Sequence, residues 1–347
     1  MKESGNIWYE VNDHGGSLSQ AEKLFPDAPR PFLDLSTGIN PHSYPLPDFS
    51  ESVFTRLPDE ARLHDLRTLA AQVYGAPSPA HVAAAPGTQI LLPLVASLAP
   101  QGRAAILSPT YAEHRRAAAI AGHEAIETTD IADLSAADLA IVVNPNNPDG
   151  RICKRAELLA LAERLKTRGG YLLIDEAFMD VGPEGESLAR DAGIGNVIIL
   201  RSFGKFFGLA GIRLGFAIGA RDLMQNLHAR LGPWAVSGPA IEIGIAALGD
   251  RGWQDSMRRK INEKAARLDR LLQQYGLTVT GGTSLFRFIR ANEAPEIFQT
   301  LGRAGIFVRA FDNDPRALRF GLPASAEDFA RLDTALLSWR CNRNPAR

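Results

Sequence analysis

Short apolar runs alternate with amphipathic stretches through the middle of this chain, and that alternation leaves few folds open. Residues 104–107, 139–143, 171–174, 197–200 and 214–218 contain no charged or amide side chain. A strand with one face in water would alternate polar and apolar residues, so runs like these are expected where both faces of a sheet are covered. Between them, residues 155–167 carry a helical apolar pattern. The predicted architecture is therefore α/β, a mostly parallel sheet sandwiched by helices. From about residue 235 the pattern changes. Helices are predicted over 239–248 and 253–275, then strands over 277–290, 306–311 and 317–321 around two helices, which together make a smaller α+β domain. The last helix begins at Ser325, with Asp328 three residues on as an imperfect capping box. Residues 1–45 are rich in Gly, Pro, Ser and Asn and read as an arm rather than a core element, contributing to the small domain and the active site. The expected division is thus arm 1–45, large domain 46–238 and small domain 239–347.

The chain's 347 residues suffice for two cores, since single cores stop growing near roughly 250–300 residues. A net charge of −1 gives no summed field for nucleic acid or an acidic membrane. Cys153 and Cys341 are too few and too far apart for a disulfide framework or a metal site, which fits a reducing compartment. Residues 1–6 lack the apolar stretch of a secretion signal, and no run approaches the ~20 apolar residues that span a bilayer. The expectation is a cytoplasmic protein without a metal, a nucleic-acid partner or a membrane anchor.

Open α/β sheets bind ligands at the carboxyl ends of their strands. Polar residues follow the apolar runs at those places: Asn147 after 139–143, Asp175 after 171–174, and Ser202 and Lys205 after 197–200. Gly87-Thr88-Gln89 opens an apolar helix, whose free N–H groups suit a phosphate. The segment from Ser202 to Gly215 sets a hydroxyl, Lys205 and Arg213 at fixed steps among four glycines.

This segment resembles the Ser-x-x-Lys motif of fold-type I pyridoxal-phosphate enzymes. The resemblance implies that Lys205 bonds the cofactor aldehyde while Ser202 and Arg213 bind its phosphate. It also implies that Asp175 partners the pyridinium nitrogen, keeping it protonated so that the ring accepts electrons. Asn144-Pro145-Asn146-Asn147-Pro148-Asp149-Gly150 resembles that family's Asn-Pro-x-Asn-Pro-Thr-Gly turn, which puts Asn147 on the phenolic oxygen, with Asp149 in place of threonine. Gly87, Thr88 and Gln89 fall at the family's phosphate-binding helix start. Tyr111 falls where it places a ring stacked on the pyridine.

The whole chain resembles the histidinol-phosphate aminotransferase branch and, within it, the L-threonine-O-3-phosphate decarboxylases of cobalamin biosynthesis. His14-Gly15-Gly16, Ile39-Asn40-Pro41, Asp175-Glu176-Ala177-Phe178 and Pro233-Trp234-Ala235-Val236-Ser237 carry the narrower match. The resemblance implies a homodimer, with Arg319 on the substrate α-carboxylate, Arg309 helping to hold its phosphate, and His14 and Asn40 approaching from the arm. Two residues depart from the aminotransferase pattern. Phe178 stands where many members have a tyrosine that donates to the phenolic oxygen, and phenylalanine cannot donate. Leu57 replaces a tyrosine that reaches the partner subunit's cofactor. The alternative enzyme reading is histidinol-phosphate or another amino-acid aminotransferase, which shares every cofactor residue. A regulatory protein on this fold would carry a DNA-binding domain, for which this chain has neither room nor a basic patch.

Overall fold

Strand β1 (Leu33–Leu35) and strands β9 (Val279–Thr283), β10 (Phe286–Arg290), β11 (Ile306–Ala310) and β12 (Ala317–Gly321) form one sheet in a computed structural model that describes residues 15–343. A larger sheet contains β2 (Val82–Ala85), β3 (Arg103–Leu107), β4 (Glu124–Thr128), β5 (Leu139–Val143), β6 (Tyr171–Asp175), β7 (Val197–Ser202) and β8 (Gly215–Gly219). The chain divides accordingly into two units. One comprises the described residues through Pro41 together with those from Met257 onward, and the other is His42–Ser256.

The larger sheet has the order β2-β8-β7-β6-β5-β3-β4. Strands β3 to β7 run parallel to one another, and β8 is antiparallel to both β7 and β2. Every residue of β5 and β7 is buried, as is every residue of β6 after Tyr171, so their unbroken apolar runs follow from cover on both faces. On one face Leu91, Leu92 and Val95 of the helix Thr88–Ala96 pack with Ile106, Ile141, Leu173, Ile198 and Leu200.

Two strands of this sheet do not show in the apolar pattern. Strand β2 is Val-Ala-Ala-Ala, fully buried but with little hydrophobic bulk. At the sheet edge, β4 is Glu-Ala-Ile-Glu-Thr and half exposed, so it needs no apolar run. The strand expected over 214–218 begins at Gly215.

In the smaller sheet, ordered β1-β11-β12-β10-β9, only β1 and β11 pair in parallel. The single strand expected over 277–290 is instead a hairpin, because the chain reverses at Ser284–Leu285 and β9 pairs antiparallel with β10. Gly282 beside that turn has φ +136, and a Cβ there would lie 2.4 Å from the Phe286 carbonyl oxygen. The segment read as an arm supplies β1, whose Leu35 is buried. Among the described residues no helix is long and apolar enough to cross a membrane. Cys153 is buried, and burial pushes its thiol pKa up, whereas Cys341 is exposed.

A buried ion cluster joins β6 to β7. The Arg201 guanidinium donates to Glu176 Oε2 (3.0 Å) and Asp180 Oδ1 (2.6 Å) and lies 4.3 Å from the centre of the Tyr74 ring. Glu176 also accepts from the Ser187 hydroxyl (2.6 Å) and the Leu188 N–H (2.9 Å). Burial opposes the guanidinium's charge, yet the carboxylates of Asp180 and Glu176 prevail and hold the Arg201 pKa above its ordinary value. Burial pushes the Glu176 carboxyl up, against the pull of Arg201, Ser187 and Leu188.

Removing one member of such a cluster strands the others without compensation, at a cost of about 3–5 kcal/mol. Arg201→Met should lower unfolding stability by about that amount. Denaturant titration checks it, and a midpoint matching the wild type would show that Arg201 does not hold the strand ends together.

Candidate active site

Three parallel strands end side by side, and their register sets the first layer of the site. Val143 is opposite Asp175, Asp175 is opposite Leu200, and Ser202 at the end of β7 is opposite Gly215 at the start of β8. The Asn144 N–H donates to the Asp175 carbonyl (2.8 Å), and the Glu176 N–H to the Leu200 carbonyl (2.9 Å), so pairing continues past the strand ends.

Asp175 is buried. Its Oδ1 accepts from the Ala177 N–H (3.0 Å), and its Oδ2 lies 2.9 Å from His114 Nε2. A carboxylate accepts, so Nε2 is the donating nitrogen of His114. Sequence reasoning missed this histidine. Its only local mark is its place three residues after Tyr111 at the start of helix Glu113–Ile120, and its partner is 61 residues away. The Tyr111 and His114 rings meet edge to face, centroids 6.0 Å apart at 84°.

The turn after β5 is held by its own side chains. Asp149 Oδ1 accepts from Asn146 Nδ2 (2.7 Å) and the Arg151 N–H (3.0 Å). Asn146 also accepts from the Thr110 hydroxyl (2.6 Å) and donates to the Pro109 carbonyl (2.9 Å), tying this turn to the loop that carries Tyr111. Asn147 is half-buried beside it.

A third group of residues surrounds the start of helix Thr88–Ala96. Gly87 caps that helix with φ +89, and a Cβ there would lie 2.5 Å from an Arg213 guanidinium nitrogen, so the absent side chain is what lets the arginine lie over the helix end. A Cβ on Gly215 would lie 2.7 Å from the Thr88 nitrogen. Arg213 itself has φ 53 and ψ 67, the left-handed region that non-glycine residues seldom enter, and donates to the Ala210 carbonyl (2.9 Å). The guanidinium, the helix N-terminus and Ser202 across from Gly215 therefore converge, as an anion site requires.

Lys205 sits half-buried in the short helix Phe203–Phe206, its Nζ 5.6 Å from the centre of the Phe178 ring. Phe203, Phe206 and Phe207 are buried around it, and Phe207 stacks on Phe203 (4.3 Å) and Trp253 (5.8 Å). A Cβ on Gly204 would lie 2.9 Å from the Ala210 Cα, so the lysine turn packs directly on the chain leading to Arg213.

The smaller unit carries the remaining candidates except His14, which lies outside the described residues. Asn40 is buried. Arg309 of β11 and Arg319 of β12 are register partners. Like charges directly opposite one another in a sheet are unfavourable unless something anionic is bound there. Arg319 is buried, donates to the Ser36 carbonyl (2.7 Å) and lies 5.2 Å from the Phe286 ring centre, while Arg309 lies 5.3 Å from that of Phe311. Ser36 is fixed in turn by Asp34, whose Oδ1 accepts from the serine hydroxyl (2.6 Å) and N–H (2.8 Å). Leu57, Phe54 and Trp234 of the larger unit are exposed.

The sequence model of the aminotransferase class I and II family matches residues 46–332. A threonine-phosphate decarboxylase of Pseudomonas aeruginosa is 43% identical over 331 residues, 94% of this chain and 98% of that protein. A histidinol-phosphate aminotransferase of Vibrio vulnificus is 32% identical over 184 residues, 51% of this chain and 52% of that protein. Among solved structures, histidinol-phosphate aminotransferase from Sinorhizobium meliloti in complex with pyridoxal-5'-phosphate superposes with a TM-score of 0.81 at 22% identity, covering 100% of this chain and 99% of that one. With its α/β sheet, its strand-end lysine and this match over most of its length, the chain belongs to the aminotransferase class I and II family.

Proposed function

We propose that this chain is a pyridoxal-phosphate-dependent decarboxylase that converts L-threonine O-3-phosphate to (R)-1-amino-2-propanol O-2-phosphate and carbon dioxide, for cobalamin biosynthesis. The observation that carries the reading is the 43% identity to a threonine-phosphate decarboxylase along nearly the whole of both chains. The sequence likeness to the Vibrio vulnificus aminotransferase covers only half of each, and the full-length likeness to the Sinorhizobium meliloti aminotransferase, at 22% identity, is one of fold.

The site's chemistry fits the cofactor. Ser202, the Gly87-Thr88-Gln89 helix start and Arg213 suit its phosphate dianion, and the buried Asp175 carboxylate suits its ring nitrogen. Asn147 is assigned to the phenolic oxygen, Tyr111 to the ring face and Lys205 to the aldehyde. When bound, the cofactor supplies an electron sink for the bond broken at the substrate Cα.

Arg319 is assigned to the substrate carboxylate, and Arg309, with His14 and Asn40, to its remaining polar groups, the phosphate foremost. A charge-assisted bond to the carboxylate, about 1.5–3 kcal/mol, weakens as that group departs neutral. Contacts to the phosphate persist, so Arg309 orients the Cα–carboxylate bond for cleavage throughout the reaction. Carbon dioxide then leaves, and a proton returns to Cα from the Lys205 amine or from water. The fold-type I resemblance supports a homodimer, which we place in the cytoplasm.

Two measurements test this reading. Purified protein should be yellow, and borohydride reduction followed by peptide mapping should place the label on Lys205; Lys205→Ala should lose it, and a label on another lysine would overturn the assignment. Incubated with L-threonine O-3-phosphate and no 2-oxo acid, the enzyme should release carbon dioxide and aminopropanol phosphate in equal amounts, and L-threonine should react poorly. Robust transamination of histidinol phosphate without carbon dioxide release would instead favour the aminotransferase reading and leave the cofactor assignment standing.

A further inference from the structure

Two of the residues assigned to the cofactor, Gln89 and Tyr111, are joined to each other and to Glu113 by side-chain bonds that the assigned roles do not use. Glu113 opens helix Glu113–Ile120 and is buried, with its side chain 6% exposed. Its Oε2 accepts from Arg116 Nη1 (2.9 Å), within the same helix, and from Gln89 Nε2 (2.5 Å), in the first turn of helix Thr88–Ala96. The other end of that amide, Gln89 Oε1, accepts from the Tyr111 hydroxyl (3.1 Å).

The direction of each bond follows from the donors available. An amide can turn either its NH2 or its oxygen toward a neighbour, and a phenol can donate or accept. A carboxylate only accepts. Glu113 therefore draws the NH2 of Gln89 to itself and leaves the amide oxygen facing Tyr111, whose hydroxyl donates. Arg116 offsets the carboxylate's charge, and the helix N-terminus at which Glu113 sits favours it further.

We propose that Glu113 is a positioning residue for the cofactor ring: through Gln89 it fixes the tilt of Tyr111, whose backbone is already tied down through Thr110 and Asn146. The proposal rests on the reading that Tyr111 stacks on pyridoxal phosphate. Gln89 lies at the phosphate-binding helix end, so the relay links the element that grips one end of the cofactor to the ring that covers its face.

The test uses the holoenzyme and pyridoxal phosphate itself, without substrate, and reads the cofactor dissociation constant and the visible circular dichroism of the bound cofactor. Losing one neutral hydrogen bond should raise the dissociation constant about fivefold. Tyr111→Phe, Gln89→Met and Glu113→Met, which leaves no acceptor at 113, should each do so and should each alter the cofactor dichroism, while unfolding midpoints stay near the wild type. The double variant Tyr111→Phe/Glu113→Met should be no worse than Tyr111→Phe alone, because both remove one relay.

Additive losses in the double variant would overturn the proposal, as would a Glu113→Met enzyme with unchanged dichroism. Gln89 is exposed, so its variant folds even if a change at the buried Glu113 impairs folding, and it reports on the relay through a dichroism change matching that of Tyr111→Phe, which loss of a phosphate contact alone would not give. Because no substrate enters, failure here is distinct from failure of the decarboxylase reading, which carbon dioxide release alone decides.

Discussion

The site depends on a buried charge cluster that takes no part in its chemistry. Arg201 precedes Ser202 on β7, and Glu176 follows Asp175 at the end of β6, so the ion pair between them clamps the two strand ends that carry Asp175 and lead into the lysine turn. Asp180 and Ser187 extend the clamp into the chain after β6. Apolar residues could fill the same space, and replacing buried ion pairs by well-packed hydrophobic groups is often neutral or stabilising. Ionic and hydrogen-bonded partners have fixed geometry, however. The arrangement gives up some free energy of burial and holds neighbouring polar residues at a set separation.

From that clamp outward, each group of the site is held by side chains rather than by loops alone. Asp149 and Asn146 close the turn beside Asn147, Thr110 joins that turn to Tyr111, and His114 fixes Asp175. The lysine turn rests on three buried phenylalanines and Trp253. Preorganisation of this kind suits a reaction in which charge moves from a breaking bond into a bound ring, because the surrounding dipoles need not reorient as it does.

The central sheet was legible because β5, β6 and β7 are covered on both faces and their sequences are apolar without interruption. Strand β2 escaped notice because alanine buries little area, β4 because an edge strand needs no apolar run, and β1 because three residues make no pattern. The residues proposed to touch the cofactor stood out through their glycines and their strand-end positions. Those that hold them did not. His114 and Glu113 bond to residues far along the chain, and neither spacing nor composition marks such pairs. Arg201 did leave a sign, a charge at the end of an otherwise apolar run. Its meaning became clear only with Glu176 and Asp180 in contact.

The absent side chains at Gly87, Gly204 and Gly215 bear on how such a protein can change. Each faces a neighbour under 3 Å from where a Cβ would stand, two of them backbone atoms, so ordinary substitution cannot explore these positions. Arg213 adds a backbone shape that few residues accept. The surroundings of this helix start and of the lysine turn are therefore closed to gradual tuning, and new substrates or outcomes on this scaffold must arise from residues with room around them. Variation that redirects the chemistry belongs instead at half-buried positions, of which Arg309 is one.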